Sequence, residues 1–347
     1  MKNNGFKNSK EAEEYIVSQK KECRLCSSEI QEIVNLGNSS PANNFVKAKD
    51  DLSFSYPLIL DYCKNCFCLQ LRHCLDHEIL YKDYTYMTPD VDFLNSHCSY
   101  LIDLLNSKNV CGKEKQCLEL GSNVGLFIKI ISPEFRRVIG IDPAENIAKI
   151  ANDSGYETIC DFFSPQSSKT ILEQHGLFDL IVARHMFAHN VDPNILLESM
   201  NNVLTSDGTI LIENAYAIPT LINGEFDQVY HEHMFYYSVA NMQKLLKNNG
   251  FELYDLTYSE IHGGTIAFLC SRIGKKEISP KINDRIEEEL VYFKDMKIFK
   301  DFNRKILEIR DKVIKEISKD IDQKKEIIAY GATAKAFTMF SFLDIDS

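Results

Sequence analysis

A glycine-bearing turn between two apolar segments constrains this fold most strongly. Residues 117–120 form a short apolar run around Glu119, and Gly121-Ser122-Asn123-Val124-Gly125 leads into the apolar segment 126–131. Glycines at such a turn let backbone N–H groups approach a ligand because no Cβ intervenes, and the start of the following helix adds partial positive charge. The pattern predicts a strand, a turn and a helix, with ligand contacts from Glu119, Gly121, Asn123 and Gly125.

An acidic residue follows this turn at the end of the next predicted strand. Residues 138–141 are apolar and are followed directly by Asp142, about 20 positions beyond the turn. At this place a carboxylate can accept hydrogen bonds from both ribose hydroxyls. Nicotinamide-binding turns carry a third glycine, whereas Ile128 stands at that position here. We therefore expect an adenosine ligand of the kind that methyltransferases bind. A solvated loop carboxylate is the alternative interpretation of Asp142.

Strand and helix patterns continue to alternate beyond Asp142. Residues 178–183 and 209–213 have strand patterns, and residues 193–204 carry apolar side chains on one helical face. Repeated strand–helix pairs predict a parallel, doubly wound α/β sheet with its ligand at the carboxyl ends of the strands. We expect Asp161 and Phe162 at the edge and face of the adenine ring, with ordinary loop residues as the alternative.

Two cysteine pairs, Cys23-x-x-Cys26 and Cys63-x-x-Cys66, have the spacing of a zinc site. Each pair lets two thiolates reach one tetrahedral ion from a tight turn, and together they complete a closed structural site. The eleven cysteines are an odd number and cannot all form disulfides, which favours reduced thiols and metal ligands. We expect a structural Zn2+ on the four thiolates. Core cysteines without metal are the alternative, and Cys68 and Cys74 are nearby competing ligands.

Composition limits the size and the partners of the protein. A chain of 347 residues with 44% hydrophobic residues predicts two or three domains. A net charge of -11 argues against nucleic acid or an anionic membrane as partners. Residues 1–21 lack an apolar signal segment, and no apolar run nears the roughly 20 residues of a membrane span. We therefore expect a cytoplasmic protein.

The segment Tyr230-His231-Glu232-His233 predicts a proton-transfer site. Its histidines are two positions apart, which places them on one side of a strand or in a loop. Zinc hydrolases instead carry His-Glu-x-x-His on a helix, so a catalytic metal is disfavoured. An imidazole titrates near neutrality, which suits a base.

Together, these motifs resemble the sugar C-methyltransferase family. The ordered set comprises the two Cys-x-x-Cys pairs, the turn at 119–125, the segment 226–233, His262-Gly263-Gly264-Thr265 and Tyr-Gly-Ala-x-Ala-Lys at 330–335. The resemblance implies an α/β protein with a small N-terminal zinc-binding lobe at 1–80 and a Rossmann-like class I methyltransferase core at 81–273. A helical linker and a truncated C-terminal Rossmann-like substrate domain would occupy 274–347. It also implies S-adenosylmethionine as cofactor and a nucleotide-linked 4-keto-deoxysugar as substrate.

The resemblance also implies roles for individual residues. By position in the family, His233 is the base that removes a proton beside the keto group, and His231 is the competing candidate. Glu232 would orient or charge-balance the imidazole, and Tyr230 would hydrogen-bond the keto oxygen. The resulting enolate would attack the sulfonium methyl group. The residues implied for the sugar are Tyr84, Tyr86, His262, Gly263, Tyr330 and Lys335.

The C-terminal region predicts helices followed by the start of a second fold. Beyond residue 274, apolar positions three and four apart predict one or two long amphipathic helices. Residues 326–330 predict a strand, but only one strand and one helix precede Ser347. We therefore expect that the chain is truncated, that a partner or self-association completes this fold, or that it docks on the core. Alternative functions are methylation of another carbon or oxygen nucleophile, and a catalytically silent protein that binds cofactor or sugar nucleotide.

Overall fold

The structure, a computed structural model, describes residues 16–42, 54–81, 84–331 and 333–344. The chain divides into two compact units. The terminal unit comprises Met1–Leu80, Tyr216–Ser238 and Glu288–Ser347, and the central unit comprises Tyr81–Ala215 and Val239–Glu287. The segment with the Tyr-His-Glu-His motif therefore folds with the terminal segments, although the residues on either side of it belong to the central unit.

The strands of the described residues are β1 (Ile16–Gln19), β2 (Ile30–Ser39), β3 (Tyr56–Cys63), β4 (Leu69–Leu71), β5 (His73–Leu75), β6 (Gly112–Leu120), β7 (Phe135–Ile141), β8 (Thr158–Ile159), β9 (Phe178–Arg184), β10 (Leu204–Ala215), β11 (Phe235–Tyr236), β12 (Phe251–Ser259) and β13 (Thr265–Arg272). The helices are α1 (His77–Tyr81), α2 (Asp92–Ser107), α3 (Leu126–Ile131), α4 (Glu145–Asp153), α5 (Pro165–His175), α6 (Pro193–Val203), α7 (Ala217–Asn223), α8 (Val239–Asn248), α9 (Lys281–Phe293), α10 (Lys297–Asp322) and α11 (Ala334–Leu343). Within the described ranges, none of these helices is both long and apolar enough to span a membrane.

The central unit is built on a seven-stranded sheet in the order β12-β13-β10-β9-β6-β7-β8. Strands β6 to β10 run parallel to their neighbours among themselves, whereas β13 is antiparallel to both β10 and β12. Residues 180–183 of β9 are all buried and apolar, as expected for parallel strands that are covered on both faces. The predicted doubly wound α/β core is confirmed, and the turns after β6 and β7 lie at the same edge of the sheet.

The terminal unit contains an antiparallel sheet in the order β11-β4-β3-β2 and a separate β1-β5 pair. Helix α10 buries a stripe of apolar side chains, as the sequence pattern predicts. The Phe299 ring on this helix lies 4.6 Å from the Tyr62 ring on β3, measured between centroids. The stripe comprises Ile298, Phe299, Phe302 and Ile306. The amphipathic helix therefore packs against the strand that carries Cys63.

The C-terminal region differs from the sequence prediction at one element. Residues 326–330, predicted as a strand, have no regular secondary structure, and the Tyr330 side chain is fully exposed. A strand needs a neighbouring strand to accept and donate its backbone hydrogen bonds. Among the described residues no such neighbour pairs with this segment. The following helix is formed as α11 and carries Lys335 in its first turn.

Candidate active site

The glycine turn after β6 has the close backbone packing that only glycine allows. Gly121 and Gly125 have φ values of +64° and +85°. A Cβ on Gly121 would lie 2.8 Å from the Cβ of Met186, and a Cβ on Gly125 would lie 2.7 Å from Cδ2 of Tyr156. Both sterics and backbone conformation thus exclude larger residues. The turn keeps a bare backbone at the ligand-binding edge of the sheet.

Asp142 stands where the sequence predicts a ribose-binding carboxylate, directly after β7. Its two oxygens accept backbone N–H groups of Asn123 and Ala144, each at 3.0 Å. Burial raises the pKa of this carboxyl, which these backbone donors oppose. A carboxylate oxygen has lone pairs for a further donor. The arrangement orients Asp142 and leaves it able to accept hydroxyl groups.

Glu119 carries an unsatisfied buried oxygen beside the same turn. Among the described residues, no group hydrogen-bonds its Oε2, and the side chain is buried. Burial raises the pKa of the Glu119 carboxyl to about 8, and the Asp142 charge adds to this effect while Arg184 opposes it. A buried polar atom without a partner is costly. Its chemistry fits a ligand that brings a hydrogen-bond donor or a cation, as the amino acid part of S-adenosylmethionine does.

Asp161 and Phe162 follow β8, at the edge of the sheet next to β7. Both side chains are exposed, and Oδ1 of Asp161 accepts the N–H of Phe162 at 2.7 Å. The register Ile141↔Ile159 brings the ends of β7 and β8 side by side. A ligand that extends from Asp142 along this edge would pass this pair, and its contact with an adenine ring stays a prediction.

Sequence reasoning missed a buried charge network at the ends of β9 and β10. Oε1 of Glu213 lies 2.5 Å from Nε2 of His97, and Oε2 accepts from Nε of Arg184 at 2.9 Å. Burial alone would raise the pKa of the Glu213 carboxyl, but Arg184 and the His97 hydrogen bond hold it well below its usual range. The sequence did contain a signal for this network, namely a charged residue directly after a strand-like run. Arg184 follows residues 178–183, and Glu213 follows residues 209–212.

His262 and Gly263 lie in the loop between β12 and β13. The His262 ring meets the His185 ring edge to face, with centroids 5.0 Å apart. His262 and Gly263 have φ values of +55° and +90°, so the loop is sharply turned. His185 also lies 3.7 Å from Oε2 of Glu213, and burial lowers the pKa of its imidazole to about 4. The predicted sugar-contacting loop thus adjoins the charge network.

The Tyr-His-Glu-His motif lies in the terminal unit, just before β11, which pairs with β4. The N–H of Leu71 donates to the carbonyl of Met234 at 2.9 Å, and Oγ1 of Thr338 on α11 donates to the carbonyl of Val229 at 2.7 Å. The motif itself turns, since the N–H of His233 donates to the carbonyl of Tyr230 at 3.0 Å. Both sides of the motif are therefore tied to neighbouring elements.

The four side chains of this motif have different surroundings. His231 is fully buried, with Nε2 3.4 Å from the Pro57 carbonyl oxygen, and burial lowers its pKa to about 4. Glu232 is also buried. His233 and Tyr230 are half-buried, and Nε2 of His233 lies 2.7 Å from the Tyr230 hydroxyl. The Tyr230–His233 pair is the part of the motif that a ligand can reach.

The four predicted metal ligands come together in the terminal unit. Their sulfur atoms all lie within 4.8 Å of one another, including 3.4 Å for Cys23–Cys66 and 3.6 Å for Cys26–Cys63. A tetrahedral zinc with Zn–S bonds of about 2.3 Å places sulfurs about 3.8 Å apart, so the cluster fits this ion. Cys68 and Cys74 are buried but outside the set.

The two turns that carry these cysteines have the same construction. Ser27 and Phe67, each directly after the second cysteine of its pair, have φ values of +55° and +63°. The N–H of each donates to the carbonyl of the first cysteine, Cys23 or Cys63, at 2.8 and 2.9 Å. The repeated turn holds both thiol pairs toward a common centre, as a structural zinc site requires.

The remaining predicted sugar residues lie in both units. Backbone carbonyls of Tyr84 and Tyr86 accept hydrogen bonds from Asn146 and Asn123 in the central unit. Tyr330 and Lys335 lie in the terminal unit, before and within α11. Their assignment to the sugar stays a prediction, as do the individual roles of the motif residues.

Comparisons with known proteins agree with this architecture. Three family models match consecutive segments: a zinc binding domain at 23–81, a methyltransferase domain at 94–256 and a C-methyltransferase C-terminal domain at 260–347. C-methyltransferase NovU of Streptomyces niveus is 28% identical over 325 residues, which are 92% of this chain and 77% of that protein.

The comparison with solved structures matches about half of the chain. A S-adenosylmethionine-dependent methyltransferase from Clostridium acetobutylicum ATCC 824 has a TM-score of 0.42 at 16% identity, covering 53% of this chain and 94% of that one. Magnesium protoporphyrin IX methyltransferase from Synechocystis PCC 6803 with bound SAM has a TM-score of 0.39 at 13% identity, and the match covers 54% of this chain and 87% of that one. With three family models matched one after another along the chain and a seven-stranded core, the chain is an S-adenosylmethionine-dependent methyltransferase that is similar to C-methyltransferases over most of its length.

Proposed function

We propose that this enzyme methylates a nucleotide-linked 4-keto-deoxysugar at a carbon next to the ketone, with His233 as the base. We choose His233 over His231 as the base because the two histidines of the motif differ in burial. His231 is enclosed by protein and its low pKa keeps it neutral, whereas His233 is half-buried beside the Tyr230 hydroxyl. Similarity to a C-methyltransferase supports carbon as the methyl acceptor.

The proposed reaction needs one proton transfer and one bond exchange. His233 takes a proton from the carbon beside the ketone, and the C–H electron pair becomes the enolate. When bound, S-adenosylmethionine supplies a methyl group on a positively charged sulfur. That methyl group would pass to the enolate carbon, and the electron pair of the broken methyl–sulfur bond would remain on sulfur. Tyr230 donates a hydrogen bond to the keto oxygen as negative charge develops, and Glu232 balances the imidazolium.

The remaining residues would hold the two ligands. In the central unit, Asp142 would accept the ribose hydroxyls, and the unpartnered oxygen of Glu119 would meet the amino acid part of the cofactor. Asp161 and Phe162 would contact the adenine, and Gly121 and Gly125 would leave the backbone accessible. Residues proposed for the sugar nucleotide are Tyr84, Tyr86, His262, Gly263, Tyr330 and Lys335.

A substrate panel tests this proposal. The protein is incubated with S-adenosylmethionine and a series of 4-keto-deoxysugar nucleotides, and mass spectrometry records methyl gain. In heavy water without cofactor, exchange of the α-proton reports the base separately from methyl transfer. Losing a general base costs about 100-fold or more, so His233→Gln should abolish exchange while calorimetry gives unchanged cofactor affinity.

His231→Gln is the matched control within the same motif. It should retain α-proton exchange, because His231 is proposed to support the fold and not to touch the sugar. Exchange that survives in His233→Gln but not in His231→Gln would move the base to His231. Cofactor binding without methyl gain or exchange on any sugar of the panel would reject the sugar substrate.

A further inference from the structure

Residues 84–88, here called the strap, are held to the cofactor turns by side-chain amides. The strap has no regular secondary structure. The N–H of Thr88 donates to Oδ1 of Asn123 at 2.8 Å, and Nδ2 of Asn123 donates to the Tyr86 carbonyl at 3.1 Å. Nδ2 of Asn146 donates to the Tyr84 carbonyl at 2.9 Å. Two asparagines therefore supply three of the hydrogen bonds of a short irregular segment.

The Asn123 amide is fixed at both of its ends. This residue has a φ of +49°, a left-handed conformation that asparagine tolerates better than most residues. Its own N–H donates to Asp142 at 3.0 Å, so the turn that binds the strap is also bonded to the proposed ribose carboxylate. Strap, glycine turn and Asp142 thus form one hydrogen-bonded chain.

The two anchoring points lie on adjacent strand-to-helix turns. Asn123 follows β6, and Asn146 lies in the first turn of α4, shortly after β7. In doubly wound sheets the ligand lies outside the carboxyl ends of neighbouring strands, which is where both turns are. Asp90, just beyond the strap, forms an ion pair with Lys129 on α3 at 2.7 Å. The strap therefore runs beside the place where the cofactor must bind.

We propose that Asn123 and Asn146 are positioning residues that clamp the strap beside the cofactor, and that this clamp slows cofactor and product release. A ligand at the glycine turn is retained while the three hydrogen bonds of the asparagine side chains hold, and it leaves faster once these hydrogen bonds open. The clamp uses polar bonds between side chain and backbone, which can open without exposing the apolar core. This inference rests on methyltransferase activity alone and is independent of the sugar substrate and of His233.

Two variants remove the clamp from different elements. Asn123→Gly keeps a residue that accepts the left-handed backbone but deletes both of its strap bonds. Asn146→Ala deletes the third bond from α4. Lys149→Ala is the matched control, because Lys149 lies on the same helix and pairs only with the exposed Asp153 among the contacts described. Asn123→Asp retains an acceptor for Thr88 but loses the donor to Tyr86. Its rates of Thr88 exchange and product dissociation should therefore lie between those of wild type and Asn123→Gly.

The measurements are hydrogen–deuterium exchange of the peptide containing Thr88 and the dissociation rate of S-adenosylhomocysteine, measured by surface plasmon resonance. A net hydrogen bond is worth roughly a factor of five to ten, so Asn123→Gly should raise both rates about tenfold or more. Asn146→Ala should raise product dissociation about fivefold, and Lys149→Ala should change neither rate.

Two outcomes would overturn the proposal. If Thr88 exchanges faster in the variants but product dissociation is unchanged, the strap does not control release. If exchange rises equally in β6 and α3 and the unfolding temperature drops, the asparagines merely stabilise the fold. Faster exchange confined to the strap, together with faster dissociation at an unchanged unfolding temperature, supports the clamp.

Discussion

The buried histidine of the Tyr-His-Glu-His motif predicts a measurable pH dependence of stability. Burial lowers the pKa of His231 to about 4, whereas an imidazole in an unfolded chain titrates near pH 6.5. Between about pH 6.5 and pH 4 the unfolded state therefore binds more protons than the folded state. The neutral histidine contributes stability that is fully present above the unfolded pKa and is lost as pH falls toward the folded pKa.

The expected magnitude follows from these two pKa values. From about pH 7.5 to about pH 5 the unfolded imidazole becomes mostly protonated while the folded one stays neutral, which removes about 2 kcal/mol of unfolding free energy. His231→Gln abolishes this titration and retains an N–H group that can reach the Pro57 carbonyl. We therefore expect wild type to lose about 2 kcal/mol more than His231→Gln over this range.

Urea denaturation of both proteins at the two pH values, followed by circular dichroism, measures this difference. Other groups that titrate in this pH range are common to both chains. Subtracting the pH effect on the variant from that on wild type therefore isolates His231. Equal losses in the two chains would show that His231 is not held neutral by burial, and would return it to the candidates for the base.

Two further predictions concern charge and metal. Arg184→Met leaves the Glu213 carboxylate buried without its arginine partner and should lower the unfolding free energy by about 3 kcal/mol, measured by urea denaturation. Adding Glu213→Gln should recover part of this loss. An unchanged stability would contradict the charge network. Cys26→Ser should reduce bound zinc, measured by elemental analysis of the purified protein, because a closed site needs all four ligands. The control Cys68→Ser should retain full zinc, and equal loss in both would refute the assigned ligand set.

Local patterns predicted the core of the central unit well. The turn between β6 and α3 was predictable because glycine positions and an apolar run determine it within about ten residues. The cysteine set was predictable because its spacing reflects two similar turns. In contrast, the segment 326–330 has strand-like residues but no described neighbour to pair with. Strand formation there depends on tertiary contacts that a local pattern does not contain.

Long-range contacts explain what the sequence did not reveal. His97 and Glu213 are 116 positions apart, and Arg184 and Glu213 are 29 apart, so no fixed spacing identifies their network. The motif segment likewise folds with the terminal unit because β11 pairs with β4 far earlier in the chain. Both features come from where strands end and which strands become neighbours, and these are properties of the topology.

The two histidines of the motif illustrate how topology divides chemically equal residues. They are two positions apart, and their identical side chains leave the choice of base open in the sequence. The turn from Tyr230 to His233 directs His231 toward the Pro57 carbonyl and leaves His233 half-buried beside a phenol. The short contact to Tyr230 fixes one ring nitrogen of His233: either the phenol donates to Nε2, or Nε2–H donates to the phenol oxygen. In the first arrangement Nε2 can take a proton only after the Tyr230 hydroxyl turns away from it, and in the second Nδ1 is the basic nitrogen. Which ring nitrogen would act as the proposed base therefore depends on the direction of this one hydrogen bond.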